Sequence, residues 1–233
     1  MSRPKVRAIL SAARRHKQNS LSEYESKRLL SAYGIPVVQE AIVHDWDGAR
    51  QAASDIGYPV VMKLCAAGIT HKTERNLVAV SLRDEADLKQ AFRDLDRKTE
   101  RSAGDLLVQK MVKGVREVAI GMTRDPQFGP CVMFGLGGIF TEVLHDVSFR
   151  VAPVDMQDAL EMMREIRGHA ILDAIRGLEA ADRKTLGESL IALGNIGLEN
   201  EVVQEIDVNP LIICESQPVA VDALVVLKNS EID

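Results

Sequence analysis

The chain has 233 residues, 46% hydrophobic and 27% charged, enough to bury a sizeable core as one large domain or two small lobes. Its 29 basic and 34 acidic residues leave a net charge of −5, and only 4% of residues are aromatic. That balance argues against an unstructured polyelectrolyte, a nucleic-acid binder working by bulk charge, and a base-stacking platform.

The start of the chain, "MSRPKVRAILSAARRHKQ", is basic but has no apolar h-region or cleavage site. It predicts a short amphipathic helix with Val6, Ile9, Leu10 and Ala13 on one face. Ser22-x-x-Glu25 in "LSEYESKRLLSAYG" reads as a capping box opening a helix that Gly34 and Pro36 close. "IPVVQEAIVH" reads as a strand, and Asp45 as the N-cap of a helix whose Ala49, Ala52, Ala53 and Ile56 form an apolar stripe ending at Gly57. "PVVMKLC" and "LVAVSL" follow as strands, then "DEADLKQAFRDLDRKT" as a helix with Leu88, Ala91, Phe92 and Leu95 facing inward.

After the polar break "TERSAGD" come strands "LLVQKM" and "VREVAIGMT", a turn at "RDPQFG", strand "PCVMFG", a glycine-rich loop and strand "VSFRVAP". Two helices, "DMQDALEMMREIRG" and "DRKTLGESLIALGNIG", precede three strands, "EVVQEID", "PLIIC" and "VAVDALVVL". Mixed elements with frequent hairpin-like turns predict an α+β fold in two lobes. The expected segments are a helical stretch over 1–19, an N-terminal lobe over 20–104 and a C-terminal lobe over 105–233, with the break near Ser102–Asp105. No apolar run approaches membrane-spanning length. Cys65, Cys131 and Cys214 follow no metal-ligand spacing, which reads as reduced thiols in a cytoplasmic protein.

Four polar features stand apart from this scaffold. Lys63 lies within an apolar strand, where an ammonium costs several kcal/mol to desolvate unless an anion meets it or it snorkels to water. Gly135, Gly137 and Gly138 in "FGLGGIFTE" either let backbone amides approach an anion or make a tight turn. No Lys-Ser/Thr follows, so this is not a Walker loop, and its spacing is not the dinucleotide fingerprint.

Glu205, Asp207 and Asn209 alternate with apolar Ile206, Val208 and Leu211, so they share one strand face. A hairpin would bring Asp222 back beside them, giving either a polar sheet face or a hard-oxygen set suited to Mg²⁺. Glu117, with Lys110 shortly before it, is either a strand-edge charge or an acid for ribose hydroxyls. Together these features describe an ATP site without a Walker loop.

At these residues the chain resembles the ATP-grasp fold, two lobes with the nucleotide between them, and more narrowly the β subunit of the ADP-forming acyl-CoA synthetases. The likeness runs from "LSEYESKRLLSAYGIPV" to "QEIDVNPLII…VDAL", and its most specific pieces are "PVVMKL…ITHKTE", "FGLGGIFTEVLHDVSFRVAP" and "DVNPL". The resemblance implies that Lys63 holds nucleotide phosphates, that Glu117 takes the ribose, and that the backbone of Gln109, Lys110, Met111 and Val112 is the hinge strand against adenine. Gly135–Gly138 would cover the phosphates, and Asn209 and Asp222 would ligate Mg²⁺ with Asp207 and Glu205 close by.

His71 would relay phosphate between ATP or ADP and a CoA-binding α subunit, in an α₂β₂ assembly, with Lys72 offsetting charge on the phosphorylated ring. Two positions depart from the family pattern: Arg75-Asn76-Leu77 replaces a glycine-containing stretch, and His145 stands where relatives often carry lysine. A nucleotide-sensing module without synthetase turnover and a carboxylate–amine ligase are the rival readings. Neither needs a relay histidine.

Overall fold

The computed structural model describes residues 3–66, 77–98, 104–138 and 144–228. Helix α1 (Arg3–Arg15) opens the chain, followed by α2 (Glu23–Ala32), β1 (Glu40–Val43), α3 (Trp46–Ile56), β2 (Val60–Cys65), β3 (Val78–Leu82), α4 (Glu85–Lys98) and β4 (Asp105–Lys110). Then come β5 (Arg116–Asp125), β6 (Gly129–Leu136), β7 (Val147–Val151), α5 (Met156–Glu165), a 3₁₀ turn (His169–Leu172) and α6 (Arg183–Glu199). Strands β8 (Val203–Cys214), β9 (Gln217–Ala220) and β10 (Leu224–Leu227) complete it. Among the described residues no helix is long and apolar enough to cross a membrane.

The chain forms two compact units. The smaller comprises Ser22–Tyr24 and Val38–Met111, the larger Met1–Leu21, Glu25–Val37 and Val112–Asp233. The smaller unit holds an antiparallel sheet in the order β1-β4-β2-β3. Val60, Met62 and Leu64 of β2 pack in one core with Ala49, Ala53, Leu88 and Leu95 of α3 and α4. Strand alternation therefore turns Val61, Lys63 and Cys65 to the other face. Asp45 caps α3 as its sequence predicts, its carboxylate accepting from Gly48 N at 2.8 Å.

The larger unit is built on an antiparallel sheet in the order β10-β8-β5-β6-β7, with β9 paired to β8. Ile206, Val208, Ile120, Met122, Val132 and Phe134 face a core shared with α1, α2, α5 and α6. Val6, Leu10 and Ala13 put the apolar stripe of α1 into this same core. The opposite face of the sheet then carries the alternate residues, Glu205, Asp207 and Asn209 among them.

The division differs from the expected one in three places. β4 hydrogen-bonds to β1 and β2, so the change of unit follows Met111 rather than the polar break near Ser102–Asp105. Residues 1–19 do not stand as a separate segment, because α1 packs into the larger core. Ile35 also joins that core, so the predicted strand Ile35–His44 begins only at Glu40. The 3₁₀ turn at His169–Leu172 was not foreseen from the apolar pattern.

Candidate functional site

In the smaller unit, Lys63 lies on the central strand β2, opposite Leu107 on β4 and Val78 on β3. Its Nζ donates to Glu23 Oε1 at 2.9 Å, and the two side chains are 9% and 1% exposed. Burial of this order would be prohibitive for either charge alone, and the pair offsets it. Glu23 is a partner of this candidate site residue that sequence reasoning missed. Its place at the start of α2, one residue after the proposed cap Ser22, was the only local signal, and the contact spans 40 residues.

Gln109 is buried on β4 opposite Val61, and Lys110 is exposed at the end of that strand. The amide of Lys110 donates to Gln39 O at 2.9 Å and that of Met111 to Pro59 O at 3.1 Å. Any base reading the edge at Lys110 and Met111 therefore meets amides already engaged by protein carbonyls. Val112 begins the larger unit. His71 and Lys72 lie outside the described residues, as do Arg75 and Asn76.

In the larger unit, Glu117 on β5 is half-buried and pairs with Ile212 on β8. Gly135 is not a loop residue: it pairs with Ala119 and Val147 inside β6 and its neighbours, and a Cβ there would come within 2.8 Å of Asp146 O. The loop starts at Gly137, whose amide donates to Glu117 O at 2.9 Å. A Cβ on Gly137 would fall 2.7 Å from the Val118 carbonyl. Gly138 has φ +61, its amide donates to Asn209 Oδ1 at 3.1 Å, and the Glu117 carboxylate fills the space a Cβ would take. Both glycine amides are thus bound to protein acceptors. What these glycines supply is close approach, which draws Glu117, Gly138 and Asn209 together.

Glu205, Asp207 and Asn209 alternate on β8 with buried Ile206 and Val208, as the pattern predicts, while Leu211 is buried beyond a shift in the register with β5. Leu224 and Val226 of β10 stand opposite Asp207 and Glu205. Asp222 sits in the three-residue link between β9 and β10, its Oδ1 accepting from Ala223 N at 2.9 Å. The carboxyl of Asp207 is pushed up to about 6, chiefly by burial, then by the charges of Glu205 and Asp222. The charges of Glu205 and Asp222 therefore both act on Asp207. A cavity of about 240 Å³ opens there, lined in part by Gly121, Thr123, Met133, Phe149, Glu205 and Asp207.

Among the described residues no three His, Cys, Asp or Glu side chains converge closely enough to hold a metal alone. Mg²⁺ does not need three: it takes one or two carboxylates and completes its octahedron with water and phosphate oxygens. Asn209 and Asp222 supply the right hard-oxygen donors, so the residues fit that ion.

A second missed residue is Arg116, buried beside Glu117 at the start of β5. Its guanidinium donates to the carbonyls of Ile171, Asp173 and Glu215, tying the 3₁₀ turn and the β8–β9 turn to β5. No short-range pattern in the sequence signals this.

Residues 12–227 match the family model of the ATP-grasp domain. The β subunit of the ADP-forming acetate–CoA ligase I of Pyrococcus furiosus is 40% identical over 228 residues, covering 96% of this chain and 98% of its own. The ADP-forming acetate–CoA ligase I of Archaeoglobus fulgidus is 40% identical over 208 residues, 87% of this chain but only 30% of that longer relative. Among solved structures, a dinucleotide-forming acetyl-coenzyme A synthetase 1 of Ca. Korarchaeum cryptofilum is 39% identical with a TM-score of 0.85, over 96% of this chain and 100% of that one. That structure is a complex with coenzyme A and Mg-AMPPCP, its phosphohistidine segment pointing towards the nucleotide-binding site.

Proposed function

The chain belongs to the ATP-grasp family, among the β subunits of the ADP-forming acetyl-CoA synthetases, and from that premise we propose that it moves phosphate between Mg-ATP or Mg-ADP and His71. The overall reaction is acid + CoA + ATP ⇌ acyl-CoA + ADP + phosphate. The observation that supports this reading is the meeting of Glu117, the acid proposed for ribose, with Asn209, the amide proposed for the metal, around the single glycine Gly138.

Each residue has one task. Lys63, held by Glu23, presents its ammonium to phosphate oxygens. Glu117 accepts from ribose hydroxyls, and the strand end Gln109–Val112 lies along the base. Asn209 and Asp222, with Asp207 and Glu205 near, hold Mg²⁺, which when bound neutralises charge on the phosphates. The unprotonated imidazole of His71 attacks the γ-phosphorus, an N–P bond forms, and the P–O bond to ADP breaks with the electron pair leaving on ADP. The reverse step makes ATP. Lys72 offsets charge on the phosphorylated ring.

The sequence given has no early strand–glycine loop–helix unit of Rossmann type, so the CoA and acyl chemistry belongs to an α subunit or a fused domain; the α₂β₂ assembly rests on the family resemblance alone. The longer relative, of which this chain matches 30%, is in keeping with such a division of labour. Cys65, Cys131 and Cys214 are free thiols, in keeping with work in a reducing cytoplasm.

The test is incubation with Mg²⁺ and γ-labelled ATP, with and without an α subunit, comparing wild type with His71→Ala. Acid-labile, base-stable label on wild type alone is the expected result. Absence of label in both, even with the α subunit, would leave a nucleotide-binding module without a relay.

A further inference from the structure

The strands on either side of the three-residue link that carries Asp222 are held by a part of the chain with no assigned role. Leu227 N donates to Asn19 O at 2.8 Å, Leu21 N to Val225 O at 2.9 Å, and Ala220 N to Pro36 O at 2.9 Å, so the segment around α2 runs beside residues 220–227. Two side chains of α2 bracket the link, one bonding Val221 within it and one bonding Val225 just beyond it on β10. Ser26 Oγ accepts from Val225 N at 3.2 Å, and Lys27 Nζ donates to Val221 O at 3.3 Å. Both side chains belong to residues with no exposed surface. Lysine is almost never found so deeply buried without a specific use for its ammonium.

We propose that Lys27 and Ser26 are positioning residues for the metal, holding the Val221 carbonyl before Asp222 and the Val225 amide on β10 beyond it so that the Asp222 carboxylate keeps one orientation. The inference rests on the reading of Asp222 as an Mg²⁺ ligand. The chemistry is that of groups behind a ligand: they set its orientation without touching the ion. Lys27 bonds the carbonyl just before Asp222, and Ser26 the amide three residues after it on β10, so α2 side chains hold the chain on both sides of Asp222.

Charge alone predicts the opposite sign from positioning. A nearby lysine repels a divalent cation, so its removal by electrostatics would strengthen Mg²⁺ binding. Loss of positioning weakens it.

The readout is the ratio of ADP affinity in saturating Mg²⁺ to that in EDTA, measured by calorimetry on the full chain for wild type, Lys27→Met, Ser26→Ala and Asp222→Asn, with a thermal melt of each. The expected result is a ratio lowered about tenfold in Lys27→Met, with affinity in EDTA unchanged. Ser26→Ala should move the ratio in the same direction. A merely structural residue would lower the melting temperature, or both affinities together, and leave the ratio alone. A ratio that is unchanged or higher in folded Lys27→Met overturns the proposal. If Lys27→Met does not fold, Ser26→Ala decides by the same criterion. Asp222→Asn separates the two ideas: an intact ratio there overturns the metal reading, whereas collapse there with intact ratios in both α2 variants overturns the positioning role alone.

Discussion

At Gly138 two demands meet, a backbone φ of +61 and a carboxylate occupying the place of a Cβ. Alanine there should cost about 1–2 kcal/mol in urea unfolding from the left-handed backbone alone. It should also push Glu117 aside and weaken ADP binding. An unchanged ADP affinity at reduced stability would show that Glu117 does not meet the nucleotide. The Lys63–Glu23 pair makes a sharper case. Removing one partner of a buried pair costs about 3–5 kcal/mol, while removing both costs much less. Lys63→Met should therefore destabilise strongly, and Lys63→Met with Glu23→Gln should recover much of the loss. A double-mutant cycle with no coupling would mean that the 2.9 Å contact contributes nothing.

Among the elements, those whose information is local were legible. Asp45 caps α3 and the alanine stripe of that helix is buried, because a 3.6-residue period and a capping carboxylate are written within a dozen residues. The acids of β8 were legible for the same reason, a period of two with a sharp polar–apolar contrast. Long-range partners were not. Glu23 meets Lys63 across 40 residues and Arg116 reaches Glu215 across 99, and no periodicity encodes such pairings.

The seam between β7 and α5 is another of this kind, and it makes a pH prediction. Arg150, then Ser148, hold the carboxyl of Glu165 down at about 2, from an ordinary 4.5. A lowered folded-state value means that the charged form is favoured by folding. Its contribution is complete above about 4.5 and is lost as pH falls from there towards 2. Glu165→Gln should flatten stability across that window, read by denaturant unfolding, and added salt should shrink the wild-type slope because the pair is partly exposed. A slope identical in the two proteins would remove this seam as its source.

For the whole molecule, the α+β character follows from the element order, but the placement of the unit boundary does not. β4 looks like the opening of a second lobe because it follows a polar break, yet its hydrogen bonds go to β1 and β2, and sheet pairing outweighs chain proximity. Likewise α1 looks like a free-standing helix until its stripe finds a core that is shared with α2 and with residues from Val118 onward. Each unit has its own buried cluster, so the folded chain has stability without ligand. A ligand binding only the native state then adds RT ln(1 + [L]/Kd), about 2.7 kcal/mol at a hundred times Kd. In a chain of this size that should raise the melting temperature by roughly 5–10 °C in Mg-ADP. With EDTA the same ADP concentration should give only a small part of that shift if Asn209 and Asp222 hold the ion as proposed, since they would then lose the ion that links them to the phosphates. Equal shifts with and without Mg²⁺ would mean that the nucleotide is held by its base and ribose alone, and would take the acids of β8 and the β9–β10 link out of the site.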